Sequence, residues 1–401
     1  MENAFDMVPI RHSHEKKLSS TERFNEEHAK KAMNYHRSFP EYHETPLVDL
    51  DNFANDLGVE KFYIKDESYR FGLNAFKVLG GSYCIGNYIA EKLGKDISEM
   101  PFEKLTSPEV HKKLGEVTFV TATDGNHGRG IAWTANRLGQ KSVVFMPKGS
   151  SEERLHNIQA LGADASITNL NYDDAVRHAN ECAEKYGWIM VQDTAWEGYE
   201  KVPGWIMEGY TTMALEAVHQ LKEVKPTHIF LQAGVGAMAG ALTGFFDNYY
   251  KDNKPTIIIA EPDKAACICK SAKANDGKPH FVSGDMNTIM AGLACGEPCT
   301  IGWEILRDHA DYSVSMPDYV AAKGMRILGN PIGTDKRVIS GESGAATTGF
   351  VAEVMTNPDL QAFRKELHLN KSSRILCFST EGDTDRDNYR NIVWNGLFPS
   401  F

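Results

Sequence analysis

The chain has 401 residues, enough for two domains that each bury a core. Its 43 Lys and Arg against 54 Asp and Glu give a formal charge of −11 without long runs of one sign, which argues against a nucleic-acid or anionic-membrane partner. No apolar stretch approaches a membrane span, the first residues lack the apolar core of a signal peptide, and seven cysteines do not read as a disulfide framework. The expectation is a globular cytoplasmic protein. Cys267-x-Cys269 and Cys295-x-x-x-Cys299 lack the two-residue gap usual at zinc, so no metal is expected and the thiols read as buried and inert; whether Cys267 and Cys295 lie within pairing distance is not set by the sequence.

In chain order, Lys61–Lys65 reads as a strand, followed by an irregular stretch to Asn74 and a helix from Val78 to Leu93 headed by Lys77. Strands are predicted at Val117–Thr121, Ser142–Met146, Ala165–Thr168 and Trp188–Gln192, with helices near 130–138, 151–161 and 172–186 between them. Gly139 and Gly162 stand where helix ends favour positive φ, and Ser150 with Glu153 has capping-box spacing. A second alternating set follows: strand His228–Gln232, helix Met238–Tyr250, strand Thr256–Glu261 and late strand Arg374–Ser379. Two βα series imply an α/β protein with two parallel-sheet domains and flanking helices. The smaller domain, 87–200, is expected as an insertion in a larger one made of 1–86 plus 201–401. Residues 263–373, rich in glycine and turns, are expected to supply loops around a site.

Lys77 is electrostatically misplaced, because the positive end of a helix dipole disfavours its charge. That field, with partial burial, would make a neutral amine available as a nucleophile. The loop Thr123-Asp-Gly-Asn-His-Gly-Arg-Gly130 joins a strand to a helix, and its glycines let backbone N–H groups approach an anion. A second loop, Gly234-Val-Gly236-Ala-Met-Ala-Gly240, occupies the same kind of position. Alone, with Glu261 ending the next strand, it would suggest a dinucleotide site and a nicotinamide-dependent oxidoreductase. That reading leaves Lys77 and the asparagine loop without a task. Pyridoxal phosphate uses all three: a lysine for the aldehyde, a glycine loop for the phosphate, and an asparagine for the ring hydroxyl or substrate carboxylate.

Longer stretches carry a family resemblance over nearly the whole chain. Lys-Asp-Glu-Ser-Tyr-Arg-Phe-Gly-Leu-Asn-Ala-Phe-Lys (65–77), Thr-Asp-Gly-Asn-His-Gly-Arg-Gly (123–130) and Gln-Asp-Thr-Ala-Trp-Glu-Gly-Tyr (192–199) are three of them. Gln-Ala-Gly-Val-Gly-Ala-Met-Ala-Gly (232–240), Met-Ala-Gly-Leu-Ala-Cys-Gly-Glu-Pro (290–298), Ser-Gly-Glu-Ser-Gly-Ala (340–345) and Ser-Thr-Glu-Gly-Asp-Thr-Asp (379–385) are the others. The chain resembles the 2,3-diaminopropionate ammonia-lyases, in the tryptophan-synthase-β-like fold type II group of pyridoxal phosphate enzymes. The resemblance implies that Lys77 carries the cofactor as a Schiff base and that the loop with Gly234, Gly236, Ala237 and Met238 binds its phosphate. It implies that Asn126 lies near the phenolic oxygen, that Ser379 or Thr380 meets the pyridine nitrogen, and that the protein is a homodimer.

Serine and threonine dehydratases, the alternative on the same fold, carry a small residue where Asp124 stands. A diamine differs from serine by a second ammonium, which a carboxylate can pair with or exchange protons with. Asp124 is therefore the expected reader of substrate and the base for one stereoisomer, with Lys77 the base for the other. The resemblance implies Asp193 as a second carboxylate at the site. His127 is expected to be structural, and Glu342 to line the cofactor or hold its loop. Elimination of ammonia, leading to pyruvate and a second ammonia from both isomers, is the expected reaction.

Overall fold

A computed structural model describes residues 5–10, 18–123 and 125–400. Among them eleven strands form two sheets: β1 Asp6–Pro9, β2 Leu47–Asp49, β3 Lys61–Asp66, β4 Thr118–Ala122, β5 Lys141–Met146, β6 Asp164–Ile167, β7 Ile189–Met190, β8 His228–Gln232, β9 Thr256–Pro262, β10 Tyr312–Met316 and β11 Arg374–Ser379. The larger sheet has the order β1-β10-β9-β8-β11-β3-β2, the smaller β6-β5-β4-β7.

The α/β class expected from sequence holds, with one correction: the larger sheet is mixed. Its two edge strands, β1 on β10 and β2 on β3, run antiparallel, whereas its inner pairs and the whole smaller sheet are parallel. Three-residue β2 and four-residue β1 are too short to show an apolar period, and β10 lies in the stretch expected to be loops. The smaller sheet is built entirely from residues 118–190. Consecutive β5 residues feed opposite faces, Val143 packing with Val120 and Ala175, and Val144 with Ala132 and Ile158.

Boundaries moved where side chains compete for backbone groups. β7 ends at Met190, and the Gln192 N–H is taken by the Tyr199 hydroxyl at 2.9 Å. The expected capping box is not formed. Ser150 Oγ donates to Pro147 O in the turn after β5, and the helix begins at Glu152 behind Ser151, which makes no capping bond. Gly139 and Gly162 do adopt positive φ, at +65° and +87°.

Helix Val78–Lys92 lies between the sheets, and the expected division at residue 86 falls within it. It fits because both neighbours come in at backbone distance. A Cβ on Gly80 would sit 2.6 Å from Ile206 of helix Lys201–Leu221, and one on Gly130 of helix Asn126–Arg137 would sit 2.9 Å from Val78 Cα.

The loop that leads into this helix is fixed from below by buried charge. Lys65, Glu67, Arg70 and Glu216 are all without side-chain exposure. Lys65 Nζ donates to Glu216 Oε2 at 2.7 Å, and the Arg70 guanidinium reaches both Glu216 and Glu67 at 2.8 Å. Thr45 and Tyr42 hydroxyls donate to the same carboxylates at 2.6 Å. Two cations and two anions thus cancel in the interior. Burial by itself would raise the Glu216 pKa, but Arg70 and then Lys65 outweigh it and hold the carboxyl below its ordinary range.

Removing one partner leaves an uncompensated charge, so Glu216→Ala is expected to lose about 3–5 kcal/mol of stability in urea denaturation at neutral pH. Because the folded pKa of Glu216 is depressed, its contribution is present above the unfolded value and fades as pH falls below about 4. The gap between wild type and variant should narrow in that direction.

Candidate active site

In both sheets the loops that leave the C-terminal ends of the parallel strands converge, as ligand-holding loops do in open α/β structures. Segments after β3, β8 and β11 meet those after β4, β5 and β7 around a cavity of about 750 Å³. Lys77, Asn126, Asp193, Gly234, Gly236, Ala237, Met238 and Thr380 all line it. Asp124 lies outside the described residues; its neighbours Thr123 and Asn126 are on the cavity wall.

Lys77 caps helix Val78–Lys92 as expected, and its ammonium forms an ion pair with Asp193 Oδ2. This carboxylate compensates the positive charge that the helix dipole disfavours. Asp193 is buried, which by itself would raise its pKa; Lys77 and then His127 outweigh that and bring it down to about 2. His127 is structural in its other contact, Nε2 meeting Val191 O at 2.8 Å, while Nδ1 stands 3.8 Å from Asp193. Helix Asn126–Arg137 begins four residues earlier than expected, at Asn126 itself, because Gly125 takes a φ of +154°. Asn126 Nδ2 donates to Glu381 Oε2 at 2.5 Å.

The segment carrying Lys77 is stitched to the turn after β11. Phe76 N donates to Thr380 O at 3.1 Å and Gly382 N to Asn74 O at 3.0 Å. Phe71 and Asn74 are held at φ +50° and +59°, a conformation that asparagine tolerates but that costs a bulky residue such as Phe71 about 1–2 kcal/mol. Between the hydroxyl candidates the geometry differs. Thr380 lines the cavity, its Oγ1 accepting from Gln232 Nε2 at 3.0 Å, whereas Ser379 does not line it and donates to Ser340 Oγ at 2.8 Å.

The dinucleotide reading is overturned by Glu261. Its carboxylate is fully buried, accepts from Ile268 N and Cys269 N at 2.8 and 2.7 Å, and does not line the cavity. It holds the start of helix Cys267–Ala274, and burial raises its pKa to about 8. Cys267 is likewise buried, with Sγ 3.5 Å from Gly234 O.

Pyridoxal phosphate fits what is present. Gly236, with φ +87°, turns the chain into helix Ala237–Tyr250, whose first amides suit a phosphate. Two buried atoms of lining residues, Gln232 Oε1 and Ser343 Oγ, have no hydrogen-bond partner among the described residues. Glu342 also lines the cavity, bonded to Asn388, and burial followed by the charge of Glu381 raises its pKa to about 7. Glu381, Gln232 and Thr123 also line the cavity; all three stand inside the quoted stretches, but no local spacing marks them as site residues.

A lysine and a glycine cradle at the strand ends of such a fold define a class, and residues 39–371 match the family model of a pyridoxal-phosphate dependent enzyme. A diaminopropionate ammonia-lyase from Salmonella typhimurium is 53% identical over 366 residues, covering 90% of this chain and 91% of its own. A crystal structure of holo diaminopropionate ammonia lyase from Escherichia coli superposes with a TM-score of 0.91 at 49% identity, covering 98% of this chain and 97% of its own. Another, of the Escherichia coli enzyme with an aminoacrylate–PLP azomethine reaction intermediate, gives 0.89 at 48% identity with 98% of each chain covered. The chain belongs to the diaminopropionate ammonia-lyase family of pyridoxal-phosphate-dependent enzymes.

A methyl at position 236 would force a left-handed φ on an L residue and bring Cβ to 3.1 Å from Ile268. Gly236→Ala is expected to weaken uptake of pyridoxal phosphate by the apo-protein roughly 5–30-fold, matching about 1–2 kcal/mol of strain. Fluorescence titration measures it.

Proposed function

We propose that this protein eliminates ammonia from 2,3-diaminopropionate, consuming one water and yielding pyruvate and two ammonia, with both D and L isomers as substrates. One observation carries the reading. The Lys77–Asp193 pair shares its cavity with a glycine cradle, in a chain 53% identical over 366 residues to a diaminopropionate ammonia-lyase.

Lys77 Nζ would hold the cofactor's aldehyde carbon, and the amides around Gly234, Gly236, Ala237 and Met238 its phosphate. Asn126 would face the phenolic oxygen and Thr380 the ring nitrogen, with Ser379 turned instead to Ser340. When bound, pyridoxal phosphate supplies a conjugated sink for the electron pair left as the substrate's Cα–H bond breaks. The Lys77 amine takes that proton from one isomer. For the mirror image the proton departs on the opposite face, and Asp124 is the base assigned there. Against burial, the Lys77 ammonium and then His127 hold the Asp193 carboxyl low. With Lys77 given over to the cofactor, that carboxylate would be released to bind or to protonate the substrate's β-amine. A homodimer, a cytoplasmic location and a division into 1–86 plus 201–401 and 87–200 complete the proposal. The last is supported by a four-stranded sheet drawn wholly from 118–190; among the described residues no helix is long and apolar enough to cross a membrane.

The test is the absorption spectrum of the purified protein before and after DL-2,3-diaminopropionate, with pyruvate assayed in parallel. A band near ~410 nm that shifts as pyruvate appears is the expected result. A band with turnover of serine or threonine but not of the diamine would favour the dehydratase. In Asp124→Asn, kcat/KM for the D isomer should fall about 10²–10⁴-fold, the usual scale for a lost base, with the L isomer far less affected. Equal losses on both isomers would defeat the face assignment.

A further inference from the structure

We propose that Glu381 is a positioning residue that locks the Asn126 amide with one N–H turned into the cavity and fixes the spacing between Asn126 and Lys77. The proposal rests on the cofactor reading given above.

Glu381 is 3% exposed and sits in the turn after β11. Its backbone forms an isolated bridge with Ala75, two residues before Lys77, flanked by the Phe76–Thr380 and Gly382–Asn74 bonds. Its side chain reaches the other sheet's helix: Oε2 accepts from Asn126 Nδ2 at 2.5 Å and from Thr384 Oγ1 at 3.4 Å. Oε1 accepts from Ser343 N at 3.1 Å, at the start of helix Glu342–Thr356. One residue therefore ties together the segment of Lys77, the helix of Asn126 and a third wall of the cavity.

The choice of a carboxylate follows from donor and acceptor counting. An ionised carboxylate only accepts, whereas the Asn126 NH2 carries two hydrogens. Glu381 takes one and leaves the second for an oxygen in the cavity. Flipping the amide would set Asn126 Oδ1 against Glu381 Oε2, acceptor against acceptor, so one orientation is selected. Glutamine cannot replace it. Asn126 Nδ2 and Ser343 N both donate, to different oxygens of the same carboxylate, and a glutamine amide offers one acceptor and one donor.

The experiment compares holoenzyme spectra across pH, and uptake of pyridoxal phosphate by apo-protein, in wild type, E381Q, N126A and the double variant. An N–H donor at the phenolic oxygen favours its anion. E381Q should therefore move absorption from the visible band toward the near-ultraviolet and raise the half-saturating cofactor concentration about tenfold, the scale of one hydrogen bond to a charged oxygen. In the N126A background E381Q should add less than about twofold, because the two residues act through one bond. Should E381Q not fold, E381D draws the carboxylate back by one methylene, and the same spectral change is expected. An unaltered spectrum and unaltered uptake with only a lower melting temperature, or fully additive effects with N126A, would overturn the proposal. A wild-type protein that takes up no pyridoxal phosphate would overturn the cofactor reading as well.

Discussion

The four-charge cluster of Lys65, Glu67, Arg70 and Glu216 is the constraint on which the site depends. It spans β3, the irregular loop behind it and helix Lys201–Leu221, and every member is fully buried. Ion pairs in such places add little net stability compared with apolar packing, but breaking one is costly. Their effect is on geometry. Charges that cannot reach water must keep their partners, so the chain leaving β3 has one course. Along it the backbone carries Phe71 and Asn74 through positive φ, a cost offset by the cluster below and by the bonds to the turn after β11 above. Lys77 emerges at the end of this course, already aimed.

The cavity is then an intersection of two sheets. Parallel strands place their C-terminal loops on one edge, and here loops of both sheets meet in a cavity at the N-terminal end of helix Val78–Lys92. Lys77 comes from the larger sheet's side and Asp193 and Asn126 from the smaller sheet's loops, so each chemical group is incomplete without the other body. The carboxylates around the cavity are set apart by neighbours. Asp193 is held near 2 by Lys77 and His127, while Glu342, buried and close to Glu381, is raised to about 7. Two groups of the same type are thereby pushed in opposite directions by their surroundings.

Much of this was legible in the sequence because it is local. Strand and helix periods, the positive φ at Gly139 and Gly162, and the Gly236 turn into a helix depend on a few neighbouring residues. Lys77, Asn126 and the glycine loop could be named because their stretches are long and contiguous. Misreadings came where a side chain had two possible backbone partners nearby, or where an element was too short to show a pattern. Ser150 fitted a capping box but is spent on Pro147 O; Glu261 fitted a ribose partner but caps Cys267–Ala274; β1, β2 and β10 are too short, or too embedded in irregular chain, to announce themselves.

The sequence by itself determined the class of fold and the cofactor, and singled out Lys77, since patterns of burial and contiguous motifs carry that information along the chain. Only the tertiary structure decided which partners those residues meet. That Asp193 pairs with Lys77, that Thr380 and not Ser379 lines the cavity, and that Glu381 holds Asn126 across 255 residues of sequence are long-range facts. Hydrogen bonds and ion pairs act over a few ångströms in space, and spacing along the chain does not record them.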